Sequence, residues 1–211
     1  MVEQLRELDP EVVRRNLAEV RAEAGEGVEI LVAAKYVPLE LMERWADAGV
    51  DLVGENRVQD LQAKQELLGD RFTWDFIGNL QSRKVKEIVG KVRLIHSLWS
   101  DSALTQLEKH AQPSQQVLVQ VNVAGEEGKG GVEPGALGDF IERCPVEVVG
   151  LMTMPPFAND PEDSRVHFAR LAELAADHRL SRLSMGTTQD WQVAVQEGAT
   201  TIRLGSGLFH P

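Results

Sequence analysis

Cysteine is almost absent: Cys144 is the one thiol in 211 residues. A lone thiol excludes a disulfide framework and any multi-thiolate metal centre. It points to a reducing compartment, so a cytoplasmic protein is expected. Basic residues are in deficit, with 22 Lys and Arg against 33 Asp and Glu and a formal net charge of −11. Such a chain repels phosphate backbones at long range, which argues against a nucleic-acid partner. An anionic ligand must then be captured by a local site working against the overall field. Long apolar runs are missing as well. The longest, 148–157, is broken by Thr153, Pro155 and Pro156, and about ten residues are too few to span a bilayer. Residues 1–7 are charged and lack an apolar stretch, so no signal peptide is expected. His96, His110, His167, His178 and His210 show no metal-binding spacing. There is no Gly-x-Ser-x-Gly elbow, and Cys144 has no evident activating base. No linker, low-complexity tract or charge block divides the chain, so 1–211 is expected to form a single domain.

What is there is ordinary globular material, 43% hydrophobic and 26% charged, in a regular alternation. Short β-branched runs at 29–35, 51–54, 74–78, 93–97, 116–123, 147–154, 180–186 and 201–207 read as strands covered on both faces. Helix signatures lie between them. Asp9-Pro10-Glu11 places a cap, a first-turn proline and a first-turn acid ahead of the stripe Val12, Val13, Leu17 and Val20. Pro38 opens a second helix that Gly49 closes, and further helices fit 56–68, 80–89, 101–110, 134–144, 161–178 and 188–197. Two α/β architectures accommodate this alternation. The first β-to-α turn, Lys35-Tyr36-Val37-Pro38, has no glycine for the phosphate turn of a doubly wound sheet. A closed (β/α)8 barrel fits the strand count better, with helix 10–24 standing in for the one missing after the last strand.

Barrel active sites lie at the C-terminal ends of the strands, with phosphate often held by the loops after strands seven and eight. Strand seven ends in Ser184-Met185-Gly186-Thr187-Thr188 at a helix start, and strand eight in Gly205-Ser206-Gly207. Small, hydroxyl-bearing turns of this kind let backbone N–H groups approach an anion. Lys35 ends the apolar run Ile30-Leu31-Val32-Ala33-Ala34. Its stem is expected to lie against apolar wall, where lost hydration favours the neutral, nucleophilic amine. Phosphate capture beside an imine-forming lysine is what holding pyridoxal 5′-phosphate (PLP) requires. Strand alternation puts Arg203 on the face of Gly205, pointing into the barrel mouth. There it meets either an unprotonated pyridine nitrogen or an interior carboxylate such as Glu55. Asn56 offers an amide to the ring or phosphate, or caps a helix. The glycine-rich loop 124–131 is too flexible to be a preformed cradle and reads as a lid or a connector.

Taken together the motifs resemble the PLP homeostasis protein family, essentially end to end. They are Ala33-Ala34-Lys35 with Pro38, Gly54-Glu55-Asn56-Arg57-Val58-Gln59 and Trp74-Asp75-Phe76-Ile77-Gly78-Asn79-Leu80-Gln81-Ser82-Arg83-Lys84. His96-Ser97, Val119-Gln120-Val121-Asn122 and Gly150-Leu151-Met152-Thr153-Met154 follow, then Leu183-Ser184-Met185-Gly186 and Ile202-Arg203-Leu204-Gly205-Ser206. The resemblance implies the barrel of the alanine racemase N-terminal domain, with PLP held as a Schiff base on Lys35 and Arg203 facing the pyridine nitrogen. Gly205 and Ser206 would hold phosphate beside 184–188. Ala34, Tyr36 and Asn79 stand where family members usually carry serine, threonine and histidine.

The implied role is storage, buffering or delivery of PLP without catalytic turnover, with apo PLP-enzymes as partners; the lack of an obvious exposed apolar stripe leads to the expectation of a monomer. A racemase of this fold needs a second acid/base group opposite the lysine. The one tyrosine, Tyr36, adjoins Lys35 and is expected to face away from it, and no second domain is expected to supply another base. The alternatives are a PLP-dependent amino-acid racemase-like enzyme and a lysine-imine aldolase acting on a phosphorylated sugar, which would be colourless.

Overall fold

Residues 9–209 are described by the structure, a computed structural model. Its strands are β1 (Glu29–Ala33), β2 (Leu52–Glu55), β3 (Thr73–Phe76), β4 (Leu94–Leu98), β5 (Gln116–Gln120), β6 (Glu147–Met152), β7 (Arg182–Thr187) and β8 (Thr201–Leu204). Its helices are α1 (Pro10–Ala24), α2 (Met42–Asp47), α3 (Val58–Leu68), α4 (Val85–Ile88), α5 (Asp101–His110), α6 (Leu137–Glu142), α7 (Arg165–Asp177) and α8 (Trp191–Gln196). Neighbouring strands pair in parallel in chain order, and β1 pairs with β8, Leu31 opposite Arg203, to close the ring. The expected barrel is the observed fold.

Local chemistry sets the helix ends. The Asp9 carboxylate accepts the Glu11 N–H at 2.9 Å and Gly25, at φ +88°, closes α1, whose Val13 and Leu17 are buried one turn apart. Packed against α2 and α8, α1 fills the place of a helix after β8. Four helices start later than the sequence pattern suggests. Leu39–Leu41, Ser82–Lys84, Pro134–Ala136 and Pro161–Ser164 are 3₁₀ turns ahead of α2, α4, α6 and α7. Pro38 or Pro134 fixes φ for such a turn but leaves the first bonds to close over three residues. Strand β1 also stops early: Ala34–Tyr36 is a 3₁₀ turn, so Lys35 and Tyr36 do not obey strand alternation.

Buried apolar side chains form two separate bodies. One fills the shell between strands and helices, with Val32, Trp45, Phe76, Ile95, Phe168, Met185 and Ile202 among its members. The other is Leu94, Leu118 and Met152 on consecutive strands, inside the ring. Leu31 of β1, opposite Arg203, is a further apolar group there, and polar side chains fill much of the remaining lumen. Side chains of β4 and β7, three strands apart around the ring, touch one another there. The fold therefore wraps an apolar sleeve around an interior with its own charges.

Candidate functional site

A cavity of about 1120 Å³ opens at the C-terminal ends of the strands. Lys35, Asn56, Thr187, Arg203 and Gly205 all reach its wall, brought together from β1, β2, β7 and β8. Lys35 rides on the 3₁₀ turn after β1 and is exposed, so the apolar enclosure expected of its stem is not present. The Asn56 Oδ1 is buried without a hydrogen-bond partner among the described residues. Gly78 lies directly behind it, since a Cβ there would overlap the Asn56 carbonyl. The Gly205 N–H donates to Thr188 Oγ1 at 3.2 Å, tying the two expected phosphate turns together.

Three residues expected at this cavity do not line it. Ser184 is fully buried below it, bonded within the lumen. Met185, the next residue along β7, points outward into the shell, as strand alternation demands. Gly186, at φ +87°, lies against Trp191 and Ala194 of α8, where a Cβ would collide. The turn after β7 is also less electropositive than expected. Asp190 accepts the Thr187 N–H at 2.7 Å and the Thr187 hydroxyl at 3.0 Å, which places a carboxylate at the start of a helix six residues long. Ser206 belongs to the 3₁₀ turn Ser206–Leu208, but its side chain and that of Tyr36 lie outside what the structure describes.

Arg203 is the anchor of the cavity floor. Its guanidinium donates to Ser184 Oγ at 2.7 Å and to the Thr153 carbonyl at 2.9 Å, and touches Met154 Sδ at 2.9 Å. Among the described residues no carboxylate pairs with it, and Asp190 acts on it only at longer range. Burial pushes its pKa down to about 10, so it remains a cation without a counter-ion in contact. Glu55, the alternative partner, sits on the outer face of β2 and is paired with Lys64 of α3.

Beneath Arg203 the lumen holds a line of polar groups. His96 Nδ1 lies 2.8 Å from Ser184 Oγ, and its Nε2 lies 3.0 Å from Asp75 Oδ2. Arg93 donates to Asp75 at 2.6 and 3.0 Å and to Glu29 at 2.5 and 3.1 Å at the opposite end of the barrel. Burial alone would raise the Asp75 carboxyl, but the His96 and Arg93 hydrogen bonds outweigh it and hold it below its ordinary range. Burial, stronger than the pull of Asp75, pushes the His96 imidazole down.

A second buried ion pair braces the lysine turn from outside. Lys64 Nζ pairs with Glu55 and donates to the Ala34 carbonyl at 2.8 Å, while the other Glu55 oxygen accepts the Asn56 N–H at 3.1 Å. One pair thus holds the backbone on both sides of the cavity entrance, at Lys35 and at Asn56. The glycine-rich loop is likewise tied down. Gln120 donates to the Gly130 carbonyl at 2.8 Å, and the Asn122 side chain bonds both the carbonyl and the N–H of Glu126. It is pinned, against the flexibility expected of it.

Sequence reasoning missed Asp75, His96 and Lys64. A signal existed for each: Asp75 and His96 interrupt apolar strands, and Lys64 lies on the stripe Leu61, Lys64, Leu68 that α3 buries. Partners were not legible, because the contacts join residues up to 88 positions apart.

The "Alanine racemase, N-terminal domain" family model matches residues 8–211. The pyridoxal phosphate homeostasis protein of Aquifex aeolicus is 44% identical over 204 residues, 90% of this chain and 90% of its own length. That of Pseudomonas aeruginosa is 32% identical over 217 residues, covering 93% and 94%. The structure of PipY from Synechococcus elongatus with PLP bound is 30% identical, with a TM-score of 0.80 over 94% of this chain and 100% of that one. Alanine racemase from Corynebacterium glutamicum, 13% identical at a TM-score of 0.75 over 97% of this chain and 62% of its own, shares the fold. Among the described residues no helix is long and apolar enough to cross a membrane.

Proposed function

The chain belongs to the pyridoxal phosphate homeostasis protein family, and from that premise we propose that it binds PLP at the barrel mouth and keeps it for storage, buffering or delivery. One observation carries the reading. A lysine, an asparagine and a buried arginine with no acid in contact among the described residues line one cavity. A buried arginine without an acid in contact is costly alone, and a small anionic aldehyde with a heteroaromatic ring uses all three groups. Lys35 supplies the amine that fixes the aldehyde carbon, Arg203 faces the ring nitrogen and Asn56 supplies an amide. Thr187, Gly205 and Ser206 bound the phosphate end. Bound PLP supplies an electrophilic carbon that captures amines. Arg203 opposes protonation of the ring nitrogen and so weakens the ring as an electron sink, which suits a holder more than a catalyst.

Relatives carry a name for homeostasis rather than for a reaction, and the same role is assigned to this chain. Apo PLP-enzymes are the acceptors, and the protein works as a monomer in the cytoplasm. Exposed Met154 and Phe157 form the cavity lip that an acceptor would meet first. The test is visible absorption of the protein mixed with PLP, beside Lys35→Ala. The wild type gains a band absent from free PLP, and Lys35→Ala does not. An identical band in the variant would refute the assignment of Lys35.

A further inference from the structure

We propose that Asp75, His96 and Ser184 are positioning residues for Arg203: through the lumen they form a one-way series of hydrogen bonds that holds the guanidinium at the cavity without neutralising it. This rests on the reading that Arg203 faces the bound ring, and it assigns three residues outside the cavity wall.

The direction follows from the donors. A guanidinium can only donate, so Arg203 gives an N–H to Ser184 Oγ at 2.7 Å. The serine proton then needs an acceptor, and His96 Nδ1 stands 2.8 Å away. On the far side of the ring, the ionised Asp75 carboxylate can only accept, so His96 Nε2 carries the proton across the 3.0 Å contact. His96 is therefore neutral and of one tautomer. The charged groups acting on it are Asp75 from β3, Arg203 from β8 and Arg93 beside β4, two cations against one acid in a fully buried site. Asp75 is held in turn by Arg93.

Reversal breaks the series. A second proton on His96 would set Nδ1–H against Arg203 for the same serine oxygen and would leave the serine proton without its acceptor. It would also put a cation one hydroxyl away from Arg203. The same three side-chain types make up a hydrolytic triad, but Ser184 is sealed from the cavity and its oxygen already accepts from Arg203. A nucleophilic role is closed, and holding is what the arrangement does. A carboxylate in direct contact would fix Arg203 equally well and cancel its field at the cavity. Two neutral groups fix it and leave the field in place.

The test uses the whole protein with its histidines labelled with nitrogen-15, first without and then with PLP. His96 should show the Nε2–H tautomer, unchanged between about pH 5.5 and 8.5, where an ordinary histidine titrates. Ser184→Ala should still unfold in one cooperative transition, at a lower urea midpoint because Arg203 and His96 each lose a buried partner. It should weaken PLP binding about ten-fold or more and shift the pH midpoint of the visible band. In Asp75→Asn the new NH2 must oppose one of the two Arg93 N–H groups that donate to the carboxylate, which loosens the hold on His96 and should weaken binding comparably. The double variant should be no worse than the weaker single one. A His96 proton on Nδ1 in the wild type, ordinary titration, or Ser184→Ala with unchanged affinity and band would overturn the proposal. If Asp75→Asn does not fold, the wild-type resonances and Ser184→Ala decide. A Lys35→Ala protein that keeps the visible band would defeat the cofactor reading alone, because the tautomer is read without PLP.

Discussion

Two sets of buried charges, one outside the barrel and one inside, are built on opposite plans. Outside, Glu55 and Lys64 meet directly, and their spare hydrogen-bonding capacity goes to the backbone at Ala34 and Asn56. That group is closed: cation and anion are equal and nothing faces the cavity. Inside, the line from Glu29 through Arg93, Asp75, His96 and Ser184 ends on Arg203, a cation with no acid in contact among the described residues. That group is open at its upper end. A closed pair serves the backbone it braces, whereas an open one keeps an unmet demand at the place where a ligand arrives.

The widest separation should come from removing each cation. Lys64→Met leaves Glu55 buried without its partner and should cost about 3–5 kcal/mol in urea unfolding, with most of it recovered in Lys64→Met/Glu55→Leu. Arg203→Met should weaken PLP binding by about a hundred-fold or more, as expected when a buried charged hydrogen bond is lost. Its effect on unfolding should be smaller than that of Lys64→Met. Equal stability losses in the two variants would erase the distinction between closed and open.

Acid should act on the inner line in two stages. His96 is held below its unfolded value near 6.5, so its contribution is complete above that pH and falls as the pH drops toward the folded value. Asp75 and Glu29 are also depressed, the latter because Arg93 and Arg182 outweigh its burial. Their contribution is present above the unfolded carboxyl range and is lost as pH falls below it. Thermal midpoints measured from pH 8 downward should begin to decline near pH 6.5, and His96→Gln should flatten that first decline while leaving the carboxylate limb. A wild-type midpoint that stays level to pH 5 would contradict the neutral imidazole. At the smallest end, Phe157→Ala should change stability by no more than about 0.5 kcal/mol, since the ring is 80% exposed.

How far each region was legible follows the same division. The barrel could be read because eight apolar runs alternating with amphipathic segments are a local pattern, repeated along the chain. Arg203 could be read because one step of strand alternation from Gly205 points it inward. Lys35 was identified but misplaced: Ala34-Lys35-Tyr36 has no residue that forbids a strand, yet it forms a 3₁₀ turn. Met185 was counted in the site although the alternation that places Ser184 inward places it outward. The inner line was beyond reach, because residues 75, 96, 184 and 203 become neighbours only when the first and last strands pair.

Borohydride reduction of the PLP-loaded protein, followed by peptide mapping, tests the central claim most directly by choosing between Lys35 and Lys64. The account predicts label on Lys35, whose side chain opens to the cavity, and none on Lys64, which is held by Glu55. Label on Lys64 with Lys35 unmodified would contradict it.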